Sequence, residues 1–299
     1  MTTKPMIHFR LNLPIKKTTI MKKNNCKNRD SENQEQNPAT VHLKKERVQK
    51  VLARSGLGSR RQIEKSIKMA QIYINGTLLE LGQTVVEGDI INWKNRKWVI
   101  EAMAQDFKII MYNKPLGQIC TRKDEKGRPT VFDNLPTLKG QRWINIGRLD
   151  INTTGLLLFT TNGDFANHMM HPSTQIDREY ACRVFGEVDQ IKLDKLRKGV
   201  ELEDGIARFN DIQQAGGGES NQWFHVVLLE GKNREVRRLW ESQDLKVNRL
   251  KRVRYGGVFL PKKLKTGQFQ ELTKGEQNIL LQDVNYKSAD LELIAKFLK

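Results

Sequence analysis

Gly147-Arg148-Leu149-Asp150-Ile151-Asn152-Thr153-Thr154-Gly155-Leu156-Leu157-Leu158 brings one apolar strand into a polar turn and lets a second leave it. Asp150 is thereby a carboxylate on rigid supports at the edge of a hydrophobic region. Taken alone, an aspartate at such a place is an ordinary turn residue. Two other stretches matter beside it. Arg178-Glu179-Tyr180 leads into the strand 181–185, where Tyr180 alone reads as a β-former packing on a sheet. Residues 228–239 run Leu-Leu-Glu-Gly-Lys-Asn-Arg-Glu-Val-Arg-Arg-Leu, a strand meeting a helix whose start carries Arg234, Arg237 and Arg238. In isolation that segment is an amphipathic helix with a basic face.

Outward from these stretches, apolar runs at 108–112, 143–149, 155–160, 180–185, 223–229 and 268–272 predict strands. The patterns over 164–170, 189–198 and 233–242 predict helices. Strands outnumber helices and many turns are short. The expected class is therefore α+β, a mostly antiparallel mixed sheet with packed helices, over residues 106–285. A smaller α/β unit precedes it over residues 46–105. Val48, Val51 and Leu52 fall at helical spacing before Gly56, and Ser59 with Gln62 makes a capping box for a second helix. Ile63 and Ile67 share that helix's buried side, while Arg60, Arg61, Lys65 and Lys68 point elsewhere. The remainder divides into a disordered basic arm over 1–45, with eight bases and no acid up to Arg29, and a tail over 286–299.

The 299 residues carry 52 Lys and Arg against 34 acids, a formal net charge of +18. Such an excess favours a polyanionic partner, because every phosphate neutralised releases a counterion. No apolar run approaches the ~20 residues a membrane helix needs. The 3 cysteines form no C-x-x-C pair and no disulfide framework, which fits a reducing cytoplasm. His168 and His171 share one face of a predicted helix, but no further ligands have suitable spacing, so no metal is expected.

Three segments carry family resemblance. Residues 47–61, with Ile72-Tyr73-Ile74-Asn75-Gly76 and residues 85–90, resemble the S4-type RNA-binding domain. The pattern GRLDxxTxGLLL at 147–158 resembles the active-site motif of the rRNA pseudouridine synthases, and EGKxRxVRR at 230–238 matches a second motif of that family. Residues 113–117, 120–133, 142–148, 221–224 and 252–256 extend the likeness to a large-subunit branch of the family, over residues 47–273 in all.

The S4 resemblance implies RNA contacts through Arg47, Lys50, Ser59, Arg60 and Arg61. The synthase resemblance implies Asp150 as nucleophile, Tyr180 stacked on the target uracil, and Arg237 paired with the Asp150 carboxylate, which favours the charged form. Arg234 and Arg238 are expected on phosphates and Arg148 near the flipped nucleotide. Where many relatives carry Gln, this chain has Glu235. The implied reaction, uridine to pseudouridine, moves no electrons and transfers no group, so no cofactor is expected. The implied partner is large-subunit ribosomal RNA, and the expected protein is a cytoplasmic monomer. Two rivals share parts of this pattern: an RNA-binding assembly factor without chemistry, and a glycosylase or nuclease. A glycosylase would release free base, and a metal-dependent nuclease would need converging acids, which the sequence lacks.

Overall fold

A computed structural model of the chain describes residues 44–103, 107–122, 124–138, 140–287 and 292–298. The expected basic arm, up to residue 43, lies outside the described residues. The first module comprises β1 (Glu46–Arg47), α1 (Val48–Arg54), α2 (Arg60–Lys68), β2 (Ile72–Ile74), β3 (Thr77–Leu78), β4 (Thr84–Val85), β5 (Ile90–Trp93) and β6 (Arg96–Met103). Ser59 caps α2 as its sequence predicts, with Gln62 returning the bond to the Ser59 backbone. Ile63 and Ile67 pack with Val48, Val51 and Leu52 into one core that also holds Ile72, Ile91, Trp93 and Trp98.

The larger part runs β7 (Ile109–Lys114), β8 (Ile144–Ile146), β9 (Thr154–Thr160), α3 (Gly163–Met170), β10 (Arg178–Phe185) and α4 (Gln190–Lys198). It continues with β11 (Val200–Leu202), β12 (Gly205–Ala207), β13 (Asp211–Gly217), β14 (Asn221–Leu228), α5 (Glu235–Glu241), β15 (Lys246–Tyr255) and β16 (Val258–Phe259). β17 (Phe269–Glu271) and α6 (Lys274–Asp283) complete it, and β18 (Glu292–Leu298) follows. The class is α+β. Among the described residues the main sheet has nine strands, ordered β13-β14-β10-β15-β9-β7-β17, with β8 beside β9 and β16 beside β15. Its pairings are antiparallel except that of β9 with β15, which is parallel through Lys251↔Thr154 and Arg252↔Gly155.

Both faces of this sheet are covered, which explains why β9 reads as an unbroken apolar run. Leu157 and Phe159 face a core shared with Leu196 of α4 and Val236, Leu239 and Trp240 of α5. Leu156 and Leu158 face the other, with Phe165 and Met169 of α3 and Leu280 of α6. Gly155 sits at the parallel junction with φ +98°, and a Cβ there would run into the Arg252 carbonyl. Only glycine allows β15 to come this close.

The expectation of a tail over 286–299 is corrected by β18. Residues 292–298 pair antiparallel with β6, from Glu292↔Met103 to Leu298↔Lys97, extending the first module's sheet. Leu293 and Ala295 alternate inward and join that module's core. A cluster of charges sits at this junction. The Arg54 guanidinium, nearly buried, meets Glu46 at 2.8 Å and Glu292 at 3.2 Å. Lys50 bridges Glu46 at 3.0 Å and Asp164 of α3 at 2.6 Å. Asn162, the cap of α3, donates to Glu292 at 3.1 Å. The first module, the last strand and the main sheet's helix α3 are thus tied by one network.

Burial alone would raise the Glu46 carboxyl, but hydrogen bonds and charge from Arg54 and Lys50 outweigh it and hold it at about 2, against 4.5 ordinarily. A carboxyl depressed on folding adds stability above its unfolded value and loses it as pH falls toward its folded value. Acid titration followed by the fluorescence of Trp93 and Trp98 should therefore show the first module weakening as pH drops from 4.5 toward about 2. Glu46→Gln should start less stable and lack that component. An identical acid profile in the variant would remove Glu46 from the linkage.

Candidate active-site cleft

Asp150 stands in the turn between β8 and β9, half-buried, on the wall of an open cleft of about 1460 Å³. Its carboxylate oxygens have no hydrogen-bond partner among the described residues. The backbone around it is held instead. Thr153 N–H donates to the Asp150 carbonyl at 3.0 Å, and Gly117 N–H to the Ile151 carbonyl at 2.9 Å. Arg237 Nη2 donates to the Asn152 carbonyl at 2.9 Å. The Lys114 ammonium, fully buried, donates to the carbonyls of Asp150 at 3.0 Å, Thr153 at 2.9 Å and Pro115 at 3.1 Å. Four successive carbonyls, 150 to 153, each have a fixed donor. Burial pulls the Lys114 ammonium below its ordinary value, partly offset by the charge of Asp150. Cys120 Sγ braces the strand before the turn, donating to the Leu149 carbonyl at 3.3 Å.

Tyr180 lies on the cleft wall with 9% of its surface exposed. β10 places it between Val226 of β14 and Arg252 of β15. Two residues earlier, Arg178 donates through Nη1 to the carbonyls of Leu229 at 2.7 Å and Glu230 at 3.1 Å, fixing the segment that leads into α5. Glu235 lines the same cleft and closes the turn before α5 by accepting from Lys232 N–H at 3.0 Å. Burial raises its carboxyl above the ordinary range.

Arg237 departs from its expected pairing. Its guanidinium is buried, and the hydrogen bonds it makes go to the Val247 carbonyl at 2.6 Å and the Asn152 carbonyl at 2.9 Å, not to the Asp150 carboxylate. It holds the Asp150 turn through the main chain. Burial lowers its guanidinium and the Asp150 charge raises it, so the two groups sense each other at longer range. Arg238 is also reassigned: it makes a two-pronged pair with Asp204 at 2.7 and 2.8 Å, on the β11–β12 hairpin. Lys50 is spent on Glu46 and Asp164. The Ser59 hydroxyl is spent on the α2 cap. Arg47, Arg60 and Arg61 are exposed on the first module. Arg148 and Arg234 are exposed on the cleft, where Arg234 reaches Glu241 at 3.4 Å.

Two residues of the site escaped the sequence reading, Lys114 beneath the turn and Arg252 on the cleft wall. Each belongs to a segment of family likeness that carried no role for it. A lysine closing the wholly buried strand Ile109–Lys114 is itself a signal, because an ammonium is buried only where acceptors surround it.

Residues 108–242 match the family model for RNA pseudouridylate synthase, and residues 46–91 match the S4 domain. A ribosomal large subunit pseudouridine synthase B from Vibrio vulnificus is 50% identical over 256 residues, 83% of this chain and 76% of that protein. The chain belongs to the pseudouridine synthase family. A synthase B from Pseudomonas aeruginosa is 54% identical over 82% of this chain and 64% of its own length. One from Xylella fastidiosa is 53% identical over 79% of this chain and 50% of its own. Against these two, then, the chain spans between half and just under two thirds of the relative. A crystal structure of a pseudouridylate synthase superposes with a TM-score of 0.55 at 24% identity, over 78% of this chain and 99% of that one, which speaks to the fold. The Asp150 turn, Tyr180 and Arg237 all lie inside the segment matched to the synthase model.

Replacing Lys114 by Met should cost about 2–3 kcal/mol of stability, since three carbonyls lose a buried donor. Chemical denaturation reads the loss, and hydrogen exchange at residues 150–153 should rise with it. Unchanged exchange there would show that the turn holds without the ammonium.

Proposed function

We propose that the chain docks on large-subunit ribosomal RNA through its S4 module and isomerises one uridine to pseudouridine in the cleft around Asp150. The observation that carries this reading is a carboxylate with no hydrogen-bond partner among the described residues, on a rigidly held turn, in one cleft with a tyrosine ring. Breaking the N1–C1′ bond needs an anionic oxygen beside C1′ and a surface that keeps the detached base nearby. Asp150 supplies the oxygen, either by bonding C1′ or by eliminating toward a glycal. Tyr180 offers its face to the extruded uracil, which must first leave its stack. Arg237 and Lys114 orient the nucleophile by fixing its backbone. The reaction balances as an isomerisation, so it calls for no cofactor. A monomer acting in the cytoplasm fits this role.

RNA contact is supported by charge that is not consumed internally. Arg60, Arg61 and Arg148 make no ion pair among the described residues. They are suited to phosphates, where they position the protein without reading sequence. The family's first motif explains Asp150 better than an ordinary turn does, because a turn aspartate gains nothing from having its carboxylate left free.

Asp150→Asn should lower isomerisation by more than about 10³-fold, the scale on which loss of a nucleophile acts. Tritium release from labelled rRNA measures it, and filter binding should find RNA affinity nearly unchanged. Full activity would take Asp150 out of the chemistry, and release of free uracil by the native protein would make it a glycosylase. Arg60→Gln combined with Arg61→Gln should reduce the slope of log affinity against log salt by about two, one for each phosphate no longer neutralised. An unaltered slope would move the RNA footprint off the first module.

A further inference from the structure

Arg252 is 1% exposed, yet it lines the Asp150 cleft. It lies in β15, beyond the segment matched to the synthase family model. Its Nε donates to the Leu156 carbonyl at 2.7 Å, and its guanidinium carbon sits 4.9 Å from the Tyr255 ring centre. Arg178 approaches the same ring at 5.2 Å, so two guanidinium groups pack against one tyrosine. These contacts fix the Arg252 side chain without satisfying it. Neither Nη1 nor Nη2 has a partner among the described residues, and Nη2 is wholly shielded from solvent. A buried cation with unpaired donors is costly, and in native proteins such a group calls for an acceptor supplied from elsewhere. Among the described residues no carboxylate pairs with it: the acids at this end of the sheet are committed, Glu179 to His225 and Arg254, and Glu235 to Lys232 N–H.

The position says which acceptor. Arg252 is the cross-strand partner of Tyr180, next to a register shift, and both line the cleft; the Cβ atoms of residues paired across strands lie about 5 Å apart. A planar base stacked on Tyr180 would bring its carbonyl edge beside the Arg252 amino groups. The parallel pairing of Arg252 with Gly155 keeps this guanidinium near the strand that leaves the Asp150 turn. Ribose carbon and base carbonyl of one nucleotide could thus meet Asp150 and Arg252 together.

We propose that Arg252 is a further catalytic residue, which hydrogen-bonds a uracil carbonyl and stabilises the negative charge that the base acquires when it leaves C1′. The inference rests on the Asp150 cleft being the site of isomerisation. When N1–C1′ breaks, its bonding pair departs with the base. The uracil becomes an anion whose charge is shared by N1, O2 and O4, while C1′ is taken by Asp150 or the sugar loses a proton to form the glycal. Rejoining through C5 restores a neutral base: the proton shed at C5 is matched by one gained at N1, and nothing is oxidised or reduced. A donor aimed at the carbonyl acts most strongly on the anion, as an oxyanion hole does, and so lowers the barrier instead of merely tightening binding.

The test compares native protein, Arg252→Gln and Arg252→Lys on the same rRNA fragment, carrying either uridine or 5-fluorouridine at the target. Single-turnover loss of the target nucleoside is read by nuclease digestion and mass spectrometry. Fluorine stabilises the anionic base, so it lessens the need for a donor. Arg252→Gln should slow loss of uridine by about 10²–10³-fold with RNA affinity little altered, and slow loss of 5-fluorouridine by at least tenfold less. Arg252→Lys, which keeps the charge without the planar fork, should fall between the two. Equal losses on both bases, or a near-native rate in Arg252→Gln, would reduce Arg252 to a packing role. Should Arg252→Gln fail to fold by circular dichroism, the same base comparison in Arg252→Lys decides. Inactive native protein would sink the cleft assignment itself, whereas active native protein with an unaffected variant sinks this inference alone.

Discussion

Everything chemical in this molecule depends on how the Asp150 turn is clasped. To act as proposed, the Asp150 carboxylate must be free on its oxygens and yet fixed in space. Hydrogen bonds to the oxygens themselves would fix it but also stabilise its ground state. The chain resolves the conflict by gripping the main chain: Lys114, Gly117, Arg237 and Thr153 donate to the carbonyls from 150 to 153, and none touches the carboxylate. Burying an ammonium for this purpose is unfavourable, and three acceptors close around it are what offset the lost hydration. Because the donors come from β7, the loop after it, α5 and the turn itself, the turn is locked only when the main sheet and α5 are both assembled.

The same assembly brings the Tyr180 side of the cleft into register. One parallel pairing in an otherwise antiparallel sheet sets β15 beside β9, and Gly155 permits the close approach. β10 then lies on the far side of β15, which carries Tyr180 against Arg252. Tyrosine and guanidinium come from β10 and β15, and the carboxylate from the turn that enters β9, in the strand order β10-β15-β9. The two hydrophobic cores on either face of the sheet leave these strands little freedom to slide, since a slip by one residue would exchange inward and outward faces.

The strands and helices that carry recognisable text were legible in the sequence, as was the Ser59 capping box. Legibility failed where one chemical signal hid another. β15 reads Lys-Val-Asn-Arg-Leu-Lys-Arg-Val-Arg-Tyr, so its charge conceals a central strand, and two register shifts against β10 break the alternation that would have marked it. β18 follows a polar stretch and presents only Leu293 and Ala295 to the core, too short a pattern to stand out from a tail. For Arg237, the resemblance implied the Asp150 carboxylate as partner, whereas its guanidinium meets the Asn152 carbonyl of the same turn. Spacing along a chain cannot distinguish a bond to a carboxylate from one to a carbonyl two residues later.

Charge illustrates the same limit and bears on how RNA is met. An excess of bases in the composition points to a polyanion, but it does not say which bases face it. Lys50 and Arg54 are consumed in joining the first module to β18 and α3, Arg238 by Asp204, and Arg254 by Glu179 and Asp177. Those pairs orient the modules, join β15 to β10 and tie α5 to the β11–β12 hairpin; a phosphate would have to displace a carboxylate before meeting these bases. Among the bases that the family likeness points to, Arg47, Arg60 and Arg61 on the first module and Arg148 at the cleft make no ion pair among the described residues, and Arg234 at the cleft has only an exposed and easily exchanged pair with Glu241. They occupy two separate places. Binding at one place without the other would hold RNA without delivering a nucleotide to Asp150. On the proposed function, the network that ties the first module to α3 takes part in substrate selection, because it fixes the distance between the first module and the cleft.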